Sequence, residues 1–245
     1  MLRRSMNSEV LPLYIKIADD LRRNIEGCVY QVGDQLPTEQ DLSMRFGVNR
    51  HTLRRAIDVL RQEGLIRVDR GRGMFVAAAP ISLAISGRVR YNEMLKAQGL
   101  QPSKKILRIA ELPADPTIAQ ALTIALGAAV VLFERLSLAD DSAISIASSY
   151  FPGDRLPNIA KHCEHYQSIS TMLREAYGFD HIRRNTRISA RMVQARDARF
   201  LAVPLNTPIL LTESVNVNQQ GAVIEYGVTR FRGDRMELVF DNASP

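Results

Sequence analysis

Arginine is concentrated between residues 45 and 72, and its spacing decides what chemistry the guanidinium groups can do. Arg45, Arg50, Arg54, Arg55, Arg61, Arg67, Arg70 and Arg72 stand there against Asp58, Glu63 and Asp69, in a chain whose net charge is +6. At 100° per residue, Arg50, Arg54 and Arg61 share one flank of a helix whose apolar stripe is Leu53, Ala56, Ile57 and Leu60. The first two turns of that helix present Asn49, Arg50, His51 and Arg54. An arginine fork bonds guanine O6 and N7, and an asparagine amide can do the same for adenine, each worth about 1–3 kcal/mol of discrimination. Asp69-Arg70-Gly71-Arg72-Gly73 follows. Its glycines let arginines lie along a sugar-phosphate backbone or reach into a minor groove. A basic helix face alone is most often just solvated; the basic hairpin behind this one shifts the reading toward DNA.

The elements that position these residues can be read outward from them. Pro12 opens a first helix with Leu13, Ile17, Leu21 and Ile25 on its inner face, and Gly27 ends it. Residues 31–37 form a connector rich in turn residues. Thr38 with Asp41 predicts a capped second helix, buried through Leu42 and Phe46 and broken at Gly47. The arginine-bearing helix then runs from about Asn49 to Gly64. Strands over 65–68 and 74–76 flank the basic tip, which makes the whole a winged helix-turn-helix.

Residues 13–77 resemble the DNA-binding domain of GntR-type bacterial transcription regulators. Tyr14, Leu36-Pro37-Thr38-Glu39, Phe46-Gly47-Val48, Thr52-Leu53-Arg54, Glu63-Gly64-Leu65 and Gly71-Arg72-Gly73 carry that resemblance. It implies DNA contacts from Glu39 and Gln40 at the second helix and from Asn49, Arg50, His51, Thr52 and Arg54 at the third. Arg70, Gly71 and Arg72 are the implied wing contacts. Relatives often carry arginine where this chain has Gln40.

Composition bounds the rest. The chain has 245 residues, is 46% hydrophobic and has a pI of about 9.6, which suits a globular protein with a polyanionic partner. Cys28 and Cys163 are read as reduced thiols. The start has no apolar run behind its arginines, and the longest apolar run, 124–133, is too short for a bilayer. A cytoplasmic protein with no membrane partner is expected. His162-Cys163-Glu164-His165 has ligand-type residues but no second cluster at metal spacing. No GxSxG, P-loop or dinucleotide motif is present. No metal, cofactor or catalytic set is therefore expected.

The pattern changes after a small-residue linker at 77–80, so the expected domains are 1–76 and 81–245. Strands are predicted over 103–112, 130–139, 144–151, 185–193, 209–217, 223–232 and 235–240. Helices are predicted over 116–122, 168–177 and 195–201. That is a mostly antiparallel α/β domain behind a helical one, an α+β chain. Phe133-Glu134-Arg135-Leu136, Ser149-Tyr150-Phe151-Pro152, Ser168-Ile169-Ser170, Glu225-Tyr226 and Arg230-Phe231-Arg232-Gly233-Asp234-Arg235 resemble the effector-binding domain of HutC-type GntR regulators, which shares its fold with chorismate lyase. Asn49-Arg50-His51-Thr52, Gly87-Arg88-Val89-Arg90-Tyr91 and Thr229 to Arg235 liken it most to regulators of phosphonate utilisation. The resemblance implies a ligand pocket at Asn92, Arg135, Ser168, Ser170, Glu225 and Phe231. Arg88, Arg90 and Tyr91 join them as candidates for a small anionic effector, since such a ligand needs charge-assisted donors and helix N-termini. Ser168 as a plain N-cap, and Arg135 and Glu225 as sheet-face ion pairs, are equally good readings of the residues. Ser137 and Ala147 replace an arginine and a glutamate common in sugar-phosphate-sensing relatives. The expected function is a ligand-responsive repressor binding a double-stranded DNA operator as a homodimer. A lyase-like enzyme and a constitutive DNA binder are the alternatives.

Overall fold

Pro12 has no N–H to leave unpaired, and α1 (Leu13–Glu26) starts directly after it, burying Ile17, Ala18 and Leu21. Helix α2 (Glu39–Phe46) is fixed by reciprocal capping. The Thr38 hydroxyl accepts the Asp41 N–H at 3.2 Å, and the Asp41 carboxylate accepts the Thr38 N–H at 3.3 Å. Gly47 then turns the chain at φ 63°, a left-handed conformation that favours glycine. Helix α3 (Arg50–Gln62) buries Leu53, Ala56, Ile57 and Leu60 against α1 and Leu42, as the stripe predicts. Strands β1 (Ile66–Asp69) and β2 (Gly73–Val76) pair antiparallel from Ile66↔Val76 to Asp69↔Gly73. The 31–37 connector is more than a turn. Leu36 N–H donates to the Met74 carbonyl at 2.8 Å and Val76 N–H to the Asp34 carbonyl at 2.9 Å, so residues 34–36 line the free edge of β2. Replacing Thr38 with alanine should cost about 1 kcal/mol through loss of the cap, read as a lower urea midpoint of the first unit. An unchanged midpoint would show the capping box to be idle.

This computed structural model describes residues 11–69, 71–77 and 80–240, in two units, Met1–Ala79 and Pro80–Pro245. The expected wing contact Arg70, and Ala78 and Ala79 of the expected linker, lie outside the described residues.

The second unit runs β3 (Ile81–Ala84), α4 (Tyr91–Ala97), β4 (Pro102–Pro113), α5 (Pro116–Leu122), β5 (Ala129–Ala139), β6 (Ser142–Pro152), α6 (Ile159–His165), α7 (Ile169–Tyr177), β7 (Ile182–Met192), α8 (Ala195–Leu201), β8 (Pro208–Val217), β9 (Val223–Arg232) and β10 (Met236–Val239). Six strands form one antiparallel sheet in the order β4-β5-β6-β9-β8-β7. Asp140 and Asp141, both at positive φ, make the tight β5–β6 hairpin. The chain is of the α+β class. Helices α4 and α6 are absent from the sequence prediction, and two strands also differ from it. The last strand leaves the main sheet and pairs in parallel with β3, a four-residue strand that no local pattern announces. Strand β7 also begins at Ile182, three residues earlier than its alternation suggests.

Period-two alternation sorts the sheet's side chains onto two faces. On β5, Val131 and Phe133 pack with α6 and α7, whereas Val130 joins the cluster with α5 and Leu136 the cluster with α8. Glu134 also faces α8, where it meets Arg196 and Arg230. Arg135 shares the α6–α7 face with Phe133, its guanidinium 5.2 Å from that ring's centre.

Candidate functional site

In the first unit, Arg50, His51 and Arg54 are exposed on the N-terminal half of α3, with Thr52 half-buried among them. Gln40 is exposed at the start of α2 and Glu39 half-buried. Arg54 Nε bonds the Glu39 carboxylate at 2.9 Å, so one predicted contact residue orients another. Asn49 corrects the expectation of a free asparagine fork. Its Oδ1 caps α3 by accepting the Thr52 N–H at 2.9 Å, leaving only the amide NH2 to reach outward. An adenine fork needs both groups, so it would cost the cap. Gly71 and Arg72 are exposed at the hairpin tip. Gln35 Nε2 donates to the Arg72 carbonyl at 2.9 Å and holds that tip. It does so across Gly73, at φ 113°, where a Cβ would stand 2.6 Å from the same nitrogen.

The second unit holds a cavity of about 110 Å³ on the α6–α7 face of the sheet. Tyr91, Asn92, Arg135, Ser168, Ser170, Glu225 and Phe231 all line it. Arg88 and Arg90 do not. Residues 86–90 run as a strap antiparallel to the start of β7, bridged at Arg88↔Ile182, and Val89 lines the cavity. Arg88 and Arg90 turn away toward Asp180 at 3.5 Å and Glu93 at 3.7 Å, on an adjoining cleft that also includes Arg174.

Strand register brings in residues that local reasoning missed. Lys104, Ser137 and Ser145 are successive register partners across β4, β5 and β6, and Arg183, Asn216 and Glu225 across β7, β8 and β9. All six line the cavity, as does His181. Arg183 reads from sequence as part of an exposed basic edge with Arg184, Arg187 and Arg191; the bulge between Arg183 and Asn185 puts it on the cavity side with Thr186. Alternation could have found Lys104 once its strand partner was known. Nothing local marks His181.

Charge in the cavity is unevenly compensated. Burial pushes the Glu225 carboxyl up, but the charge and hydrogen bond of His181 override it, helped by Ser149 and Arg135, and hold it down at about 2. His181 Nε2 lies 2.6 Å and Asn216 Nδ2 2.7 Å from the Glu225 carboxylate. Burial pulls Arg135, Lys104 and Arg183 below their ordinary values. Lys104 donates to the Cys163 carbonyl at 2.6 Å and to that of Tyr166, and Arg135 to the Ser149 hydroxyl at 3.1 Å. Ser168 caps α7 by accepting the Thr171 N–H at 3.3 Å.

Ser170, His181 and Glu225 form a chain that resembles a hydrolytic triad, with Ser170 Oγ 2.9 Å from His181 Nδ1. The serine proton is instead directed to the Val89 carbonyl at 2.7 Å, so the hydroxyl is a tether rather than a nucleophile activated by a base. Burial raises the Cys163 thiol to about 12, far from a reactive thiolate. Among the described residues no carboxylate, histidine and cysteine group could hold a metal, and no helix is long and apolar enough to cross a membrane.

Residues 13–76 match the gntR family of bacterial regulatory proteins, and residues 97–237 match the UTRA domain. The probable transcriptional regulator PhnF of Escherichia coli (strain K12) is 33% identical over 93% of this chain and 92% of its own. The HTH-type transcriptional repressor PhnF of Mycolicibacterium smegmatis is 30% identical over 89% of this chain and 87% of its own. A crystal structure of PhnF from Mycobacterium smegmatis superposes with a TM-score of 0.67 at 28% identity, covering 94% of this chain and all of that one. These relatives are regulators and not enzymes. With a winged helix-turn-helix at one end and an antiparallel sheet domain at the other, this chain belongs to the gntR family of bacterial regulatory proteins, as a DNA-binding transcription regulator with a UTRA domain.

Proposed function

We propose that the chain is a cytoplasmic repressor, working as a homodimer on a two-fold operator, whose cavity senses a small anion: a phosphonate or a phosphate monoester. The cavity's charge carries this reading. Lys104, Arg135 and Arg183 line it, while the one carboxylate in its described lining, Glu225, is engaged by His181 and Asn216. A neutral ligand would leave three partly desolvated cations uncompensated, which is costly. Ala147 removes an acid that would repel a dianion. The likeness to PhnF supports a phosphorus oxyanion over a carboxylate. Two-fold recognition of half-sites supports the dimer. The anion acts as inducer by favouring an arrangement whose recognition helices no longer match the half-site spacing.

Thermal melts of the full chain against methylphosphonate, inorganic phosphate, acetate and glucose test this. At a hundredfold excess over Kd, a phosphorus oxyanion should add about 2.7 kcal/mol to the stability of the sensing unit. A shift with glucose alone, or with none of the four, would overturn the anion reading.

A further inference from the structure

Arg183 is engaged on one edge only. Its Nη1 donates to the Ser86 carbonyl at 2.8 Å, while its Nε is buried without a hydrogen-bond partner. In a guanidinium, Nε–H and one N–H of Nη2 project side by side, matching two oxygens of a carboxylate or phosphonate. That pair lies on the side of the group away from Nη1. Arg183 lines the cavity while its Nε is itself shielded from solvent, so a two-oxygen acid meets this unpartnered edge through a small turn of the guanidinium. Asn216, directly across the strand pair and 4% exposed, also has an unpartnered atom, Oδ1. A buried guanidinium with an unmet donor is a poor structural device, since an unpaired buried polar group is costly.

The engaged edge of Arg183 holds the strap. Arg183 N–H also donates to the Gly87 carbonyl at 2.7 Å, Val89 N–H donates to the His181 carbonyl at 3.1 Å, and Ser170 Oγ donates to the Val89 carbonyl. The strap leads back through β3 to Pro80, where the second unit begins. Two cavity-lining side chains, Arg183 and Ser170, therefore hold the segment that follows β3.

We propose that Arg183 binds the anionic effector side-on through Nε and Nη2 while Nη1 keeps the Ser86 carbonyl, so that the bound anion fastens residues 86–90 against the start of β7 beside the cavity. This rests on the anion reading above and adds a ligand residue and a direction of change. The strap tightens on binding; it is not expelled.

The test uses the full chain with methylphosphonate as the probe, reading affinity by calorimetry and the strap by amide hydrogen exchange. In the unsubstituted protein, saturating probe should slow exchange at residues 86–90 several-fold. Arg183→Met should weaken binding roughly 10- to 100-fold, the loss expected for one charged hydrogen-bonding group. At saturation it should also no longer slow the strap. Equal affinity in Arg183→Met, or a strap slowed as much as before, would overturn the proposal. If Arg183→Met does not fold, the Arg183 Nε–H resonance of the unsubstituted protein decides. It should move downfield and exchange more slowly with probe, and a stationary resonance at saturation would overturn the assignment. Arg135→Met separates the two readings. Binding that depends on Arg135 but not on Arg183 rejects only the present proposal, whereas absence of any binding rejects both.

Discussion

Glu225→Gln is expected to destabilise the second unit by about 3–5 kcal/mol, the range for removing one partner of a buried ion pair. Glu225 and His181 are both buried and 2.6 Å apart, and Asn216 donates to the same carboxylate. A glutamine leaves the imidazole facing an amide and gives Asn216 a partner with fewer lone pairs. For a unit of this size the loss corresponds to roughly 10 °C in Tm, measurable by calorimetry. The pH dependence follows from the depressed carboxyl. Unfolded, Glu225 titrates near its ordinary value of about 4.3; folded, it titrates at about 2. The unfolded state therefore binds the proton first as pH falls. The carboxylate's contribution is complete above about pH 4.3 and is lost as pH falls through about 2. Glu225→Gln should flatten that part of the acid-unfolding curve. A variant that melts like the parent and keeps its acid sensitivity would show that the pair contributes nothing net.

The second large effect is expected on DNA. Arg50→Ala should weaken operator binding by roughly 10- to 100-fold, the equivalent of one bidentate base contact, while binding to random DNA falls much less. Arg50 is exposed at the first residue of α3, whereas Arg54, also exposed, is already paired with Glu39. The measurement is fluorescence anisotropy on operator and scrambled duplexes across a salt series. Phosphate contacts give a steep negative slope of log affinity on log salt, and a base contact changes the intercept more than the slope. Equal losses on both duplexes would assign Arg50 to the phosphate backbone and move base reading elsewhere on the helix.

The first unit was legible because its signals are local. A capping threonine, a turn glycine and a four-residue apolar stripe each act within one or two turns, and α2 and α3 sit where those signals put them. What escaped was Asn49's employment as a cap, which competes with its chemistry as a reader. In the second unit, helices α5 and α8 and strand β9 are also local in origin, and their bounds match the sequence reading. The cavity is not local. Its wall is assembled from all six strands of the main sheet with Leu83 of β3, and which residues share it depends on register and on bulges such as the one between Arg183 and Asn185. A one-residue shift reverses every face, so period-two reasoning without partners leaves Lys104, Arg183 and Asn216 ambiguous. Asn92, Arg135 and Glu225 were reached through family resemblance, which carries register implicitly. The same resemblance could not show that Arg88 and Arg90 turn outward from the strap.

The parallel pairing of β3 with β10 has a consequence for modularity. Ile81 lies beside Met236 and Ala84 beside Val239, so the first and last described strands of the second unit run side by side over roughly 13 Å at 3.3 Å per residue. A unit whose entry and exit are neighbours can be spliced behind a different DNA-reading head, or reopened elsewhere with its old ends joined by a short loop, without redrawing its sheet. Within the second unit, the pairing of β3 with β10 is the contact that ties its first strand to its last described one.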